Sequence, residues 1–259
     1  MALATPAKAG DCMTKLEATI QNDQLVSGCY GDITFGPWGI ECSDQHSFVT
    51  LTDTPRNAQR DGNIWHLSSG RLEITLATSQ TSANGIKQHA TFTALDDVAL
   101  QDAVIRMVFD KSAIAYGIIA GRTVTHSNSD KYRLHATRDA KLFSSGGKTV
   151  TVTLDHADGL GRFDPYLYLR DRADDWIIHA RLLPTEPVDH VWLRWANRLF
   201  TATAPVALAD LLWRFGLSRK LLWRMRERMG RHCPEIQAVP LNILKRGQSL
   251  ELEVTCHFH

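Results

Sequence analysis

The chain predicts an all-β fold, mainly an antiparallel β-sandwich or a related curved-sheet fold, with a short helical insertion near the C-terminus. Three observations carry that expectation. Apolar residues recur with period two from the start to about Leu183, turn residues punctuate these runs, and the period changes after Pro187.

Taken in order, Leu16, Ala18 and Ile20 alternate with Glu17 and Thr19, and Leu72, Ile74 and Leu76 alternate with Arg71, Glu73 and Thr75. Asn84-Gly85 follows the second run and precedes "IKQHATFTAL", the turn chemistry of a tight hairpin, because both residues tolerate positive φ. The series continues through "DAVIRMVFD", "AIAYGIIAG", "KYRLHATRD", "KTVTVTLD", "PYLYLRD" and "WIIHARLL". Short strands at this spacing point to a sandwich or a curved sheet. No strand–helix–strand rhythm precedes Leu183, which excludes a doubly wound parallel sheet.

After Pro187 the pattern turns helical. Pro205 suits a first helical turn and Gly216 a stop, and Ser218 can cap "RKLLWRMRERMG", where Leu221, Leu222, Met225 and Met229 share one helical face. "SLELEVTCHFH" then restores the alternation. The expected organisation is one β-rich domain over 1–259, a helical insertion or lid over 187–233, and a final strand over 248–259 that rejoins the sheet.

With 259 residues, 44% hydrophobic and 22% charged, the chain can bury a sizeable core. A formal net charge of +1 gives no global attraction to nucleic acid, and none is expected as a partner. The charge is uneven, however. Between Val206 and Arg231 seven cations stand against two carboxylates, a local +5 that leaves the remainder at −4. A basic amphipathic segment over 206–231 suits a lid over the sheet, or weak contact with an anionic membrane or an acidic partner. No apolar run reaches the ~20 residues of a bilayer span, and no secretory signal is read at the start. Cys12, Cys29, Cys42, Cys233 and Cys256 are scattered without CxxC spacing, so reduced, mostly buried thiols in a cytoplasmic protein are expected.

The motifs that invite a specific chemistry fail. Gly147-Lys148-Thr149 ends like a phosphate-binding loop, but the first glycine of that motif falls on Leu142, and "TVTVTL" follows where a helix is needed. Gly146-Gly147 is therefore a hairpin turn. In "DHADGLGRFD", Asp155, Asp158 and Asp164 resemble a calcium loop, yet its first ligand position is Leu154, and a solvated hairpin loop is expected instead. His257 and His259 share a strand face without a visible third metal ligand, so no metal and no cofactor are expected.

What remains is the polarity of certain strand faces. Alternation groups Arg133 with His135, then Tyr166 with Tyr168 and Arg170, then His179 with Arg181, while His89 shares a side with Lys87 and Thr91. Arginine grips anions with a fork of donors, tyrosine offers a flat ring with a hydroxyl, and histidine moves protons near neutral pH. The expected function is binding of a carbohydrate or other polar, anionic small ligand on this face. Lyase, epimerase or isomerase chemistry would use His135 or His179 with Tyr166 or Tyr168 as acid and base. Arg133, Arg170, Arg181 and His89 would hold the substrate. The alternatives are a non-catalytic lectin-like module, or a lipocalin-like enzyme or carrier for an apolar metabolite closed by a Trp-rich lid.

Overall fold

Two nine-stranded antiparallel sheets pack face to face, with every strand pairing antiparallel to its neighbours. The computed structural model describes residues 15–44, 46–126, 132–135, 137–171, 174–185 and 242–259. Sheet I comprises β1 (Glu17–Gln21), β2 (Gln24–Tyr30), β3 (Ile33–Phe35), β4 (Gly39–Ser43), β5 (Phe48–Thr50), β11 (Asp102–Asp110), β14 (Tyr132–His135), β17 (Phe163–Asp171) and β18 (Asp175–Pro184). Its main path runs β1-β2-β3-β11-β18-β17-β14, with β4 pairing both β11 and β5.

Sheet II comprises β6 (Gln59–Asp61), β7 (Ile64–His66), β8 (Arg71–Ser82), β9 (Gly85–Ala94), β12 (Ile114–Ile119), β13 (Arg122–Val124), β15 (Asp139–Ser144), β16 (Thr149–Asp158) and β20 (Ser249–Phe258). Its order is β13-β12-β15-β16-β20-β9-β8-β7-β6. A small ladder joins β10 (Val98–Leu100) to β19 (Asn242–Leu244).

The core lies between the sheets. Leu250, Leu252, Val254, Cys256 and Phe258 alternate inward along β20, as Val150, Val152 and Leu154 do along β16. They meet the inward residues of sheet I: Cys256 Sγ lies 3.7 Å from Met107 Sδ, and the Phe258 ring stacks on Phe35 with centroids 4.8 Å apart. Trp38 sits beside Phe35 and Phe109 and donates its indole N–H to the Val108 carbonyl at 2.9 Å, so the large ring is buried without an orphaned donor.

Period two separates the sheets less simply than the sequence implies. The solvent-facing strands β9 and β16 alternate cleanly, whereas β11 and β18 are buried along almost their whole length. A strand covered on both faces reads as a continuous apolar run, which explains "DAVIRMVFD" and "WIIHARLL". The centre of sheet I is therefore buried on both faces. One meets sheet II, and the other, here called the second face, carries the candidate site.

The helical insertion requires correction. The described fold is all-β, two large antiparallel sheets with no helix among the described residues, and 187–233 lies outside those residues. Helical spacing is a local signal, and helices in proteins owe most of their stability to tertiary packing. Among the described residues the core between the sheets is formed by strands and their connections. The expected contact of 206–231 with a membrane or acidic partner also falls outside the described residues. Among those residues no helix is long and apolar enough to cross a membrane.

Two turns behave differently from their sequence rationale. The β8–β9 hairpin forms where expected, but neither Asn84 nor Gly85 takes a positive φ. Gly85 is required by space instead: a Cβ there would lie 2.7 Å from the hydroxyl oxygens of Thr81 and Ser82. "DHADGLGRFD" is not a hairpin loop, because β16 belongs to sheet II and β17 to sheet I, so it carries the chain from one sheet to the other. The expectation of uniformly reduced thiols is also corrected. Cys29 is disulfide-bonded, with Cys42 and Cys256 free and buried, so its partner lies outside the described residues.

Candidate functional site on the second face of sheet I

In β4, Ile40 and Cys42 turn toward the core, and Glu41 and Ser43 therefore stand on the second face. Cross-strand register then assembles a row of polar groups. Glu41 is paired with Val104, Ser43 with Asp102, Arg106 with His179, His179 with Tyr168, and Arg181 with Tyr166. Residues in direct register share a face, so Glu41, Ser43, Asp102, Arg106, His179, Arg181 and Tyr166 converge although they span some 140 positions of chain.

The row contains two buried ion pairs. Arg106 Nε lies 3.2 Å from Glu41 Oε1, and its Nη1 donates to the Thr52 hydroxyl at 2.8 Å. The other oxygen of Glu41 faces His179 Nε2 at 3.7 Å. Beside this trio, Arg181 pairs with Asp102 Oδ2, while Ser43 donates to Asp102 Oδ1 at 2.6 Å. His179 and Arg181 are each 3% exposed. Charges are tolerated at that depth only when paired and hydrogen-bonded, and removing one partner of such a pair costs about 3–5 kcal/mol. Burial eases across the face: Tyr166 and Arg170 on the neighbouring strand are half-buried.

Cys42 borders this row from the core side. Burial pushes its thiol well above the usual range, and the nearby Asp102, Asp44 and Glu41 carboxylates push it further. It is consequently held as a neutral thiol rather than as a nucleophile.

The groups expected from the sequence are distributed as follows. β17 and β18 do form a hairpin, which places Tyr166, Tyr168, Arg170, His179 and Arg181 in adjacent register. β14 does pair with β17, but the backbone register sets Arg133 against Leu169 and His135 against Leu167. Tyr132 and Leu134 are the residues in register with Arg170 and Tyr168. His89 stands on β9 of sheet II, 3.9 Å from Glu251, so it belongs to a different surface. Glu41, Asp102 and Arg106 escaped the sequence reading. A faint signal existed, since Arg106 and Glu41 are charges inside otherwise apolar strands, "DAVIRMVFD" and "GIECS".

The discarded motifs have other occupations. Gly147 has φ +82° in the turn before β16, and Lys148 lays its ammonium 5.6 Å from the Tyr30 ring centre. Asp155 accepts the Thr255 hydroxyl and Asp158 caps Leu160 N. His257 and His259 have ring centres 6.4 Å apart. Among the described residues no group of three or more His, Cys, Asp or Glu is placed to hold a metal ion.

No family model matches the chain, and no curated protein matches it. Among solved structures it is similar to the crystal structure of a galactose mutarotase related enzyme from Lactobacillus acidophilus, at 8% identity and a TM-score of 0.44, over 95% of each chain.

Proposed function

We propose that the second face of sheet I binds a polar, anionic small ligand, a carbohydrate acid in its simplest form, and transfers a proton within it. The observation that supports this is the Arg106–Glu41–His179 trio, in which one carboxylate is held between a guanidinium and a buried imidazole. Thr52 holds the Arg106 guanidinium, which in turn fixes the carboxylate on one side. Glu41 in turn orients His179 and stabilises the imidazolium that forms when the ring takes a proton. Among the described residues the face carries the guanidiniums of Arg106, Arg170 and Arg181. Guanidiniums suit a ligand carboxylate or a developing enolate. Tyr166 and Arg170, at the less buried end, are the groups a ligand meets first.

Proton transfer at carbon is the step shared by epimerases, isomerases and lyases of hydroxy acids, so the test addresses that step directly. The protein is incubated in D2O with a panel of aldoses and uronic acids, and carbon-bound deuterium is followed by NMR. Incorporation into a uronic acid, lost at least a hundred-fold in His179→Asn and Glu41→Gln with binding retained, is the expected result. Binding of the same ligand without any exchange would replace this reading by a non-catalytic, lectin-like module. The absence of binding by every member of the panel would overturn both.

A further inference from the structure

The connection that leaves β5 reaches back into the polar row of sheet I. Thr50, at the end of β5, stands in register with Glu41. Val49 turns into the core, so the buried Thr50 shares the second face with Glu41. The Thr52 backbone N–H donates to the Thr50 hydroxyl oxygen at 3.2 Å, and the two hydroxyl oxygens are 3.4 Å apart. Thr52 Oγ1 in turn accepts Arg106 Nη1 at 2.8 Å. A chain of polar contacts thus runs from Thr50 through Thr52, Arg106 and Glu41 to His179.

Thr52 is held against β4 from several directions. The preceding Leu51 donates its backbone N–H to the Ile40 carbonyl at 3.2 Å, and its own carbonyl accepts Gln24 Nε2 at 3.1 Å. Gly39, in register with Arg106, leaves the space that Thr52 fills. A Cβ at Gly39 would stand 2.9 Å from Thr52 Cγ2 and 3.3 Å from Leu51 Cβ. The hydroxyl is therefore set in place before any ligand arrives.

Arg106 is 7% exposed and has two side-chain partners among the described residues, Glu41 and Thr52. The charged and titratable groups around His179 on this face are Glu41 on β4, Arg106 and Asp102 on β11, Arg181 on β18, and Tyr166, Tyr168 and Arg170 on β17. Asp102 is engaged by Arg181 and Ser43, so Glu41 is the carboxylate that Arg106 and His179 share. A buried guanidinium needs acceptors. Without the Thr52 hydroxyl, Arg106 leans on Glu41 alone, and the carboxylate has less charge to offer the imidazolium.

We propose that Thr52 is a positioning residue of this site: its hydroxyl holds the Arg106 guanidinium so that Glu41 stays available to His179, and it thereby sets how tightly the ring keeps its proton. The kinetic consequence rests on the proton-transfer reading above. The titration of His179 does not, because it is a property of the folded protein without ligand.

Full-length parent, Thr52→Val and Thr52→Ser are titrated by imidazole-detected NMR, with the His179 signals assigned by their loss in His179→Asn. Circular dichroism checks folding, and Thr52→Ala replaces Thr52→Val if the latter does not fold. The His179 midpoint is expected to fall by about 0.5 pH unit or more in Thr52→Val and to match the parent in Thr52→Ser. Exchange into a uronic acid should slow roughly ten- to hundred-fold in Thr52→Val, with its pH profile displaced the same way and binding retained, and recover in Thr52→Ser. A midpoint unmoved or raised in Thr52→Val would overturn the assignment, as would a ring that holds one protonation state in parent and variant alike. An equal change in Thr52→Ser would also overturn it, because the methyl against Gly39 would then be the cause. The expected shift in midpoint without exchange in any protein would uphold the role of Thr52 and overturn the proton-transfer reading.

Discussion

Replacing Asp44 by alanine should cost this protein about 3–5 kcal/mol, the scale for removing one partner from a buried charged network. Asp44 is fully buried in the turn between β4 and β5. Its Oδ1 accepts the backbone N–H groups of His46 at 2.8 Å and Ser47 at 2.6 Å. Its Oδ2 accepts the Ser68 hydroxyl at 2.7 Å and the Ser69 N–H at 2.9 Å. Residues 46–47 lie in the β4–β5 turn of sheet I and 68–69 in the loop between β7 and β8 of sheet II, so a single carboxylate ties connections of the two sheets together just beyond Ser43 and Glu41. Four bonds to a charged acceptor sum to roughly 6–12 kcal/mol at 1.5–3 kcal/mol each. Water entering the space re-satisfies part of that sum, which reduces the net loss to the lower range. Asp44→Asn keeps one acceptor oxygen and should cost about 2–3 kcal/mol.

The pH dependence gives a second reading of the same carboxylate. Burial pushes its pKa up, but the bonds donated by Ser68, His46, Ser47 and Ser69 outweigh this and hold it below the ordinary value of 3.8. A carboxyl depressed in the folded state contributes fully above its unfolded pKa, and the contribution disappears as pH falls through the folded pKa. Urea unfolding by circular dichroism should therefore show a constant gap between parent and Asp44→Ala above about pH 5 that narrows below about pH 4. A gap under about 0.5 kcal/mol at pH 7, the size of an ordinary surface substitution, would refute the reasoning. So would a gap that persists unchanged to pH 2.

Three further outcomes are expected. Gly28→Ala should destabilise by about 1–3 kcal/mol, because a Cβ there overlaps the Phe35 ring and stands 2.8 Å from the Glu17 carbonyl oxygen; thermal denaturation reads it. Lys148→Ala should lose no more than about 1 kcal/mol, the scale of an exposed cation–π contact, and neither form should gain thermal stability from ATP or GTP. Cys42 and Cys256 should resist thiol reagents in the native protein and label only on unfolding, since burial raises both pKa values; peptide mapping by mass spectrometry locates the label.

The proposed activity depends on a face whose charges are almost entirely buried, and the position of β4 explains how that face is kept in order. β4 hydrogen-bonds to β11 and delivers Glu41 and Ser43 to partners on β11 and β18. The Asp44 turn anchors its far end, and Trp38 packs into the core at its start. A carboxylate on a short strand held at both ends is preorganised, which is the property that the proposed proton transfer would require.

The sequence by itself determined the class of the described fold and most of its strands. Alternation in residues such as Leu72 and Ile74, or Leu250, Leu252 and Val254, is a local consequence of one buried and one wet face, and needs no knowledge of the partner strand. It also determined the β17–β18 hairpin, because a short connection leaves antiparallel pairing as the simple outcome. Alternation says which residues of one strand share a side, but it carries no information about which side meets which sheet. Only the tertiary structure decided that His89 belongs to sheet II, that Arg133 and His135 stand in register with core leucines, and that Glu41, Asp102 and Arg106 join His179 and Arg181. The physical reason is register: β4, β11 and β18 are brought together by hydrogen bonds between segments some 60 and 75 residues apart. Their ion pairs form only after that pairing has been made.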